Sequence, residues 1–341
     1  MTRQTILGSF KPSLNVFDDG SQFVNGFSGI GGVQLTTDFL GKRNQNLSTV
    51  AVFPINDKVQ IDHFTESLAN ALQSYGSVIR LTRQSILDRL GSSALASINE
   101  HRLLAWLSQQ EEQHRLVIYQ CSSKFNTWSR RCVRQADCVL AVGIFWTSPE
   151  VTNIERKIQE HSVRAQKELV LLHDLKDGRH PRGTANWLRT RTWCSSHHHI
   201  RCPSYFFTDP ISCSTSRSSM DILMSSIYTK HNTSSSASEI SDSTSVCDKM
   251  GDMHRLARFL TGRSVGLALG GGGAKGIAHI GIIEAMMDKK IPIDLVGGTS
   301  IGSFVGGLFA SRLCVDYCSY QTKRLSDVSR LYYRSIFIWL Y

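Results

Sequence analysis

The residues best placed to do chemistry lie between positions 264 and 310. Gly270-Gly271-Gly272-Gly273-Ala274-Lys275-Gly276 follows a short apolar run, Ser264 to Leu269. It precedes Ile277 to Asp288, whose apolar residues at 277, 280, 283, 286 and 287 have helical spacing. A strand, a glycine loop and a helix start form an anion-binding arrangement, because glycines let the backbone approach closely and the first amides of a helix point at negative charge. A second unit follows at once. Ile293 to Gly297 reads as a strand, Gly298-Thr299-Ser300-Ile301-Gly302 as a turn, and Ser303 to Ala310 as a small-residue helix. Gly-x-Ser-x-Gly between strand and helix is the pattern of a nucleophile elbow, a strained turn that lifts a serine hydroxyl to the edge of a sheet. Its flanking positions must lack bulk, and Gly298 and Gly302 meet that need.

Each motif alone is weak, since short glycine patterns arise by chance. Together, on successive strand–helix units with Gly276 and Ser300 only 24 positions apart (276 to 300), they supply both halves of acyl transfer. One is a nucleophile; the other is a set of donors for the oxyanion of a tetrahedral intermediate. Loss of one such donor typically costs about 100- to 1000-fold in rate. Other readings of the loop exist. A phosphate-binding Walker loop needs Gly-Lys followed by Ser or Thr, and here Lys275 precedes Gly276 and Ile277. A dinucleotide fingerprint fits Gly271, Gly273 and Gly276 and wants an acid about 20 residues on, near Asp294. That residue falls at the start of its strand rather than the end, which weighs against the reading without removing it. A purely structural turn also stays open.

Other candidates have plainer explanations beside the chemical one. His197-His198-His199, between Cys194 and Cys202, matches no standard zinc-finger spacing, so a surface loop is expected and no metal or other cofactor is assigned. His101 and His279 read as packing residues; His279, one turn into the helix after the glycine loop, is a minor candidate for a catalytic base. Trp106, Trp128, Trp187 and Trp193 read as core or interface anchors, and Ser303 as a packing or capping residue.

The elements that must position these residues alternate in type. Strands are expected at Thr49 to Phe53, Val78 to Leu81, Arg115 to Tyr119, Cys138 to Val142 and Leu169 to His173. Helices are expected at Ile61 to Tyr75, Ala94 to Leu107 and Ile154 to Ala165. Continuously apolar strands alternating with helices mark a parallel sheet covered on both faces, an α/β fold of Rossmann-like type. Four regions result: 1–46, a linker or the remnant of an upstream domain; 47–211, the α/β region; 212–253, a Ser-rich linker; and 254–341, an incomplete hydrolase domain. Residues 174–203 read as irregular.

The chain has 341 residues, 41% of them apolar, enough to bury a core. Lys and Arg number 38 against 28 Asp and Glu, for a net charge of +10, which favours anionic partners such as an acidic membrane surface. No dense basic run with interleaved aromatics is present, so nucleic acid is not an expected partner. Nine cysteines, an odd number at irregular spacing, suit a reduced, cytosol-facing protein better than a disulfide framework. Residues 1–10 carry no signal pattern, and no window holds the roughly 18 consecutive apolar residues of a membrane span.

The loop Gly270 to Gly276 together with Val296-Gly297-Gly298-Thr299-Ser300-Ile301-Gly302-Ser303-Phe304-Val305-Gly306 resembles the patatin-like phospholipases, nearest to the neuropathy target esterase and lysophospholipase group. Asn46 to Pro54, Leu90-Gly91-Ser92 to Trp106, Arg131 to Cys138 and Arg164 to Lys167 resemble the segment before that group's hydrolase domain. The likeness covers roughly residues 46–312. It implies a serine carboxylic ester hydrolase of phospholipids and lysophospholipids, taking lysophosphatidylcholine to glycerophosphocholine and fatty acid at the cytosolic face of the endoplasmic reticulum membrane. It implies a Ser–Asp dyad with Ser300 as nucleophile, an oxyanion hole at Gly271, Gly272 and Gly273, supporting glycines at 276, 298 and 302, and no metal. Position 275, commonly Arg in the family, is Lys here, which keeps charge but loses bidentate geometry. The family's Asp sits in an Asp-Gly element far downstream of the elbow, and neither Asp316 nor Asp327 precedes glycine. The expectation is a truncated chain that is nearly inactive by itself. A catalytically silent regulatory or interaction fragment is the alternative, and a dinucleotide-binding protein a lesser one.

Overall fold

The computed structural model describes residues 14–16, 22–26, 47–162, 164–176, 181–208, 250–312 and 315–323. The expected Ser-rich linker therefore lies largely outside the described residues, as do positions 324–341. Ten strands are named: β1 Leu14–Val16, β2 Gln22–Gly26, β3 Thr49–Pro54, β4 Val78–Leu81, β5 Leu116–Gln120, β6 Cys138–Ile144, β7 Gln166–Asp174, β8 Ser196–Cys202, β9 Gly266–Leu269 and β10 Leu295–Gly298. The helices are α1 Ile61–Gln73, α2 Arg83–Leu90, α3 Glu100–Gln113, α4 Thr127–Gln135, α5 Asn153–His161, α6 Thr184–Leu188, α7 Asp252–Leu260, α8 Ala278–Asp288 and α9 Ile301–Arg312.

Strands β3 to β8 form a six-stranded sheet in the order β4-β5-β3-β6-β7-β8, parallel throughout. This is the expected doubly covered α/β architecture. Side chains alternate across the strands and divide the core in two. Val50, Val52, Leu140, Val142, Val170 and Leu172 face α1 and its Phe64, Leu68 and Leu72. Ala51, Phe53, Val139, Ala141, Leu169 and Leu171 face α2 to α5 and their Ile86, Leu103, Trp128 and Ile158. Burial on both faces explains why β6 and the Leu169–Leu172 stretch of β7 read as unbroken apolar runs.

Within residues 47–211, three helices and one strand were not legible in the apolar pattern. The expected irregular stretch 174–203 holds α6 and the edge strand β8, whose Ser-His-His-His-Ile-Arg-Cys sequence is polar because only Ile200 and Cys202 of its seven residues are buried. Helix α2 begins at a capping box, with Ser85 N donating to Thr82 Oγ1 and Thr82 N to Ser85 Oγ. Helix α4 begins at Asn126, whose Oδ1 accepts from Ser129 N. Caps rather than long apolar stripes define these short helices.

Helix α7 follows the Ser-rich stretch in sequence but packs into the first unit. Leu256, Ala257 and Leu260 join the same cluster as Val50, Leu68 and Leu140. Arg255 Nη2 donates to His199 O, and Arg201 N donates to Asp252 Oδ2. Beyond α7, β9 and β10 pair in parallel, and β2 of the β1–β2 hairpin pairs in parallel with the other edge of β9. The segment expected as a linker or remnant thus adds two strands to the second sheet. Its own core gathers Leu267, Leu269, Ile280, Ile283, Met286, Val305 and Phe309.

A candidate serine hydrolase site

The two motifs meet at the carboxyl ends of β9 and β10. The strands are registered from Leu295 opposite Gly266 to Gly298 opposite Leu269. One residue further on, Thr299 N donates to Leu269 O at 3.0 Å. This brings the two loops side by side, and a side-chain carbon added at Gly271 would stand 3.5 Å from Ser300 Cβ.

Ser300 is solvent-exposed and sits between the end of β10 and the start of α9. Its φ is +51°, the left-handed region that costs a residue with a side chain roughly 1–2 kcal/mol. Hydrogen bonds hold the turn: Gly302 N to Thr299 O at 2.9 Å, Ser303 N to Ser300 O at 3.0 Å and Phe304 N to Ser300 O at 3.2 Å. Ser303 Oγ, expected to cap or pack, donates to the same Ser300 carbonyl at 2.6 Å. The start of α9 lies directly behind the serine, where the positive end of the helix favours developing negative charge.

The glycines have separate tasks. A side-chain carbon at Gly298 would collide with the backbone of Gly302 and Ser303, one at Gly302 with the carbonyls of Leu269 and Gly270, and one at Gly276 with Ile301. These contacts let the elbow lie flat on the loop. Gly273, at φ +56°, opens the short 3-10 turn Gly273–Ile277 that leads into α8. Among the described residues the amides of Gly271 and Gly272 meet no hydrogen-bond acceptor. That of Gly273 belongs to a helix start, which leaves its first donors free. All three glycines are exposed, and of the three Gly271 is the one that lies against Ser300.

His279, the minor candidate for a base, turns its Nε2 to the glycine loop. It is 4% exposed, and its Nε2 lies 2.8 Å from Gly270 O, so it braces the loop from below. Among the described residues no side chain is hydrogen-bonded to Ser300 Oγ. Asp294, the acid of the dinucleotide alternative, is 4% exposed and paired with Arg258, out of reach of a ribose. This role was invisible in sequence because Arg258 and Asp294 are 36 positions apart.

The remaining candidates settle as structure. Strand alternation turns His198 to the opposite face from His197 and His199. His198 lies against Phe259 and 3.6 Å from the buried carboxylate of Glu168, while His199 Nδ1 is 2.7 Å from His173 Nε2. Trp128 and Trp187 are buried and donate to Gln120 O and Phe145 O. The six described cysteines are free, and burial pushes the Cys132 and Cys138 thiols up, away from reactivity. At the carboxyl ends of the first sheet's central strands, where an α/β fold usually binds ligands, side chains of the β3–α1 loop reach across to β6. Asn56 bridges Ile144 N and Thr147 Oγ1, and Gly143 lies against Ile55. No helix among the described residues is long and apolar enough to cross a membrane.

Comparison with known proteins shows the family. Residues 46–262 match the model of the neuropathy target esterase family P-loop like domain, and residues 267–336 match patatin-like phospholipase. The chain is 43% identical over 288 residues to patatin-like phospholipase domain-containing protein 7 of Rattus norvegicus, covering 84% of this chain and 20% of that protein. It is 42% identical over 265 residues to patatin-like phospholipase domain-containing protein 6 of Homo sapiens, covering 78% and 18%. It is 40% identical over 264 residues to neuropathy target esterase sws of Drosophila melanogaster, covering 77% and 17%. The chain thus spans about a fifth of the length of the relatives it matches. No solved structure matches it significantly. With the P-loop like domain matched over more than half its length and a patatin-like segment carrying the serine elbow behind it, the chain belongs to the neuropathy target esterase family.

Proposed function

We propose that this chain carries the nucleophile and oxyanion donors of a phospholipid and lysophospholipid esterase. The observation that carries the reading is Ser300, exposed at φ +51° on a helix start and lying against Gly271, where an added side-chain carbon would stand 3.5 Å from Ser300 Cβ. In the proposed reaction Ser300 Oγ attacks the acyl carbonyl of the ester and its proton passes to a carboxylate. The oxyanion is held by the amides of 271–273. The carbon–oxygen bond to the glycerol then breaks, the alkoxide takes the proton, and water cleaves the acyl-serine to release fatty acid. Lysophosphatidylcholine is the proposed substrate and glycerophosphocholine the proposed product, at the cytosolic face of the endoplasmic reticulum membrane. The net charge of +10 favours docking on an anionic surface.

The proton acceptor is proposed to be an Asp outside these 341 residues, so that the chain alone is nearly inactive. Neither Asp316 nor Asp327 stands in an Asp-Gly element, and Ser300 Oγ has no partner among the described residues. The test is labelling by a fluorophosphonate probe beside Ser300→Ala, on this chain and on a longer one that includes the Asp-Gly element. Ser300-dependent labelling and lysophosphatidylcholine hydrolysis by the longer chain are expected. Their absence there would sink the reading and favour a regulatory fragment.

A further inference from the structure

Asp294 stands immediately before β10, and Val265 immediately before β9. The two residues are tied twice: Asp294 N donates to Val265 O, and Val265 N donates to Asp294 Oδ2, each at 2.9 Å. One carboxylate therefore fixes the start of the strand that delivers the glycine loop against the start of the strand that delivers Ser300. Register matters here more than in an ordinary sheet. A slip of one residue turns every side chain to the other face, and a slip of two moves Ser300 about 7 Å along the loop.

The same carboxylate is gripped from outside its sheet. Arg258 Nε donates to Asp294 Oδ2 at 2.8 Å, and Arg258 Nη2 to Oδ1 at 2.6 Å, in a two-point pair whose side chains are 6% and 4% exposed. Arg258 belongs to α7, and α7 belongs to the first unit. Leu256, Ala257 and Leu260 are sunk in that unit's core, and Asp252 and Arg255 bind the backbone of β8. The first sheet uses a similar device within itself: Asp137, immediately before β6, accepts the amides of Ser48 and Thr49 and the Thr49 hydroxyl at the start of β3. Among the described residues, only in the second sheet is the strand-starting carboxylate held by a cation from the other unit.

We propose that Arg258 is a positioning residue for Ser300, through which the first unit sets the register of the oxyanion strand against the elbow strand. Its catalytic consequence rests on the esterase reading above; its effect on register does not. A guanidinium suits the task because its planar fork fixes the carboxylate in angle as well as distance, leaving Oδ2 aimed at Val265 N. Once Asp294 is buried with its partner, loss of either side strands a charge in a space closed to water.

The test is amide hydrogen exchange on the 341-residue chain, comparing wild type with Arg258→Met, Arg258→Lys and Asp294→Ala. Exchange in the peptides covering 265–270 and 295–304 is expected to quicken at least tenfold in Arg258→Met and Asp294→Ala. In Arg258→Lys, which keeps the charge and loses the fork, it should quicken by less. Peptides covering 138–144 and 166–174 should exchange as in wild type. The proposal is overturned if 295–304 keeps its wild-type rate, if the effect is confined to 252–263, or if all peptides quicken alike. Should the two harsher variants not fold, Arg258→Lys decides alone on the same criteria. Failure of Ser300 to react with a fluorophosphonate in the longer chain would overturn the esterase reading separately, since exchange requires no chemistry.

Discussion

Gly302 faces the carbonyl oxygen of Leu269 across the elbow, with no room for a side-chain carbon between them. That contact joins the two motifs: Leu269 ends the strand before the glycine loop, and Gly302 closes the turn that presents Ser300. Gly302→Ala is therefore expected to force the loops apart, at a cost of about 1–3 kcal/mol or more. Urea denaturation should show the loss. In the longer chain, the variant should lose fluorophosphonate labelling although Ser300 is intact.

Ser300 itself holds strain. Its left-handed backbone costs roughly 1–2 kcal/mol, and glycine would recover that while losing about 0.5–1 kcal/mol to its greater freedom in the unfolded chain. Ser300→Gly is expected to be more stable than wild type by a few tenths to about 1 kcal/mol. Ser300→Ala, which keeps the side-chain carbon, should show no such gain. The two variants, both without nucleophile, can be compared by denaturation. Equal stability would mean that the elbow is not strained.

The ion pair of Glu155 and Arg191 is fully buried. Arg191 Nε lies 2.7 Å from Glu155 Oε2, while its Nη atoms donate to the carbonyls of Pro149, Glu150 and Trp187. Removing one partner strands the other, so Arg191→Met is expected to cost about 3–5 kcal/mol. The double change Glu155→Leu with Arg191→Met should cost less than the single one, because no charge is left unpaired. A denaturation series on wild type and these two variants measures this.

Acid should weaken the first unit through His199. Burial, followed by the neighbouring His173, His197 and Arg255, holds its imidazole down at about 4, against an ordinary value of 6.5. The neutral form is thus the native one. Its contribution is complete above pH 6.5 and is lost as pH falls from there towards 4, because the unfolded chain takes up the proton first. The ring is partly exposed, so solvent reduces the size of the effect. The melting temperature is expected to fall between pH 7 and pH 5, and His199→Asn to flatten that slope.

Much of this molecule is legible in its residues. The buried strands β3 and β6 are continuous apolar runs, and Gly298, Ser300 and Gly302 announce a turn whose chemistry depends on local backbone geometry. Edge strand β8 is not legible there, because a strand buried along only part of one face leaves no apolar signature. Helices α2 and α4 are not legible either, because capping hydrogen bonds define their limits. The glycine loop could be read either as a dinucleotide site or as an oxyanion site, since both need a strand, close backbone approach and a helix start.

The sequence by itself determined the covalent pattern of the site: a serine between glycines, a row of glycines before it, and strands and helices in the order that brings each to a sheet edge. Those properties are local, set by which residues tolerate positive φ and close approach. Only the tertiary structure decided that Asp294 locks two strands rather than binds a ribose, that Arg258 reaches it from the other unit, and that α7 belongs to the first core. These are contacts between residues far apart in the chain. No local preference encodes them, because they exist only once burial has removed the water that would otherwise separate the charges.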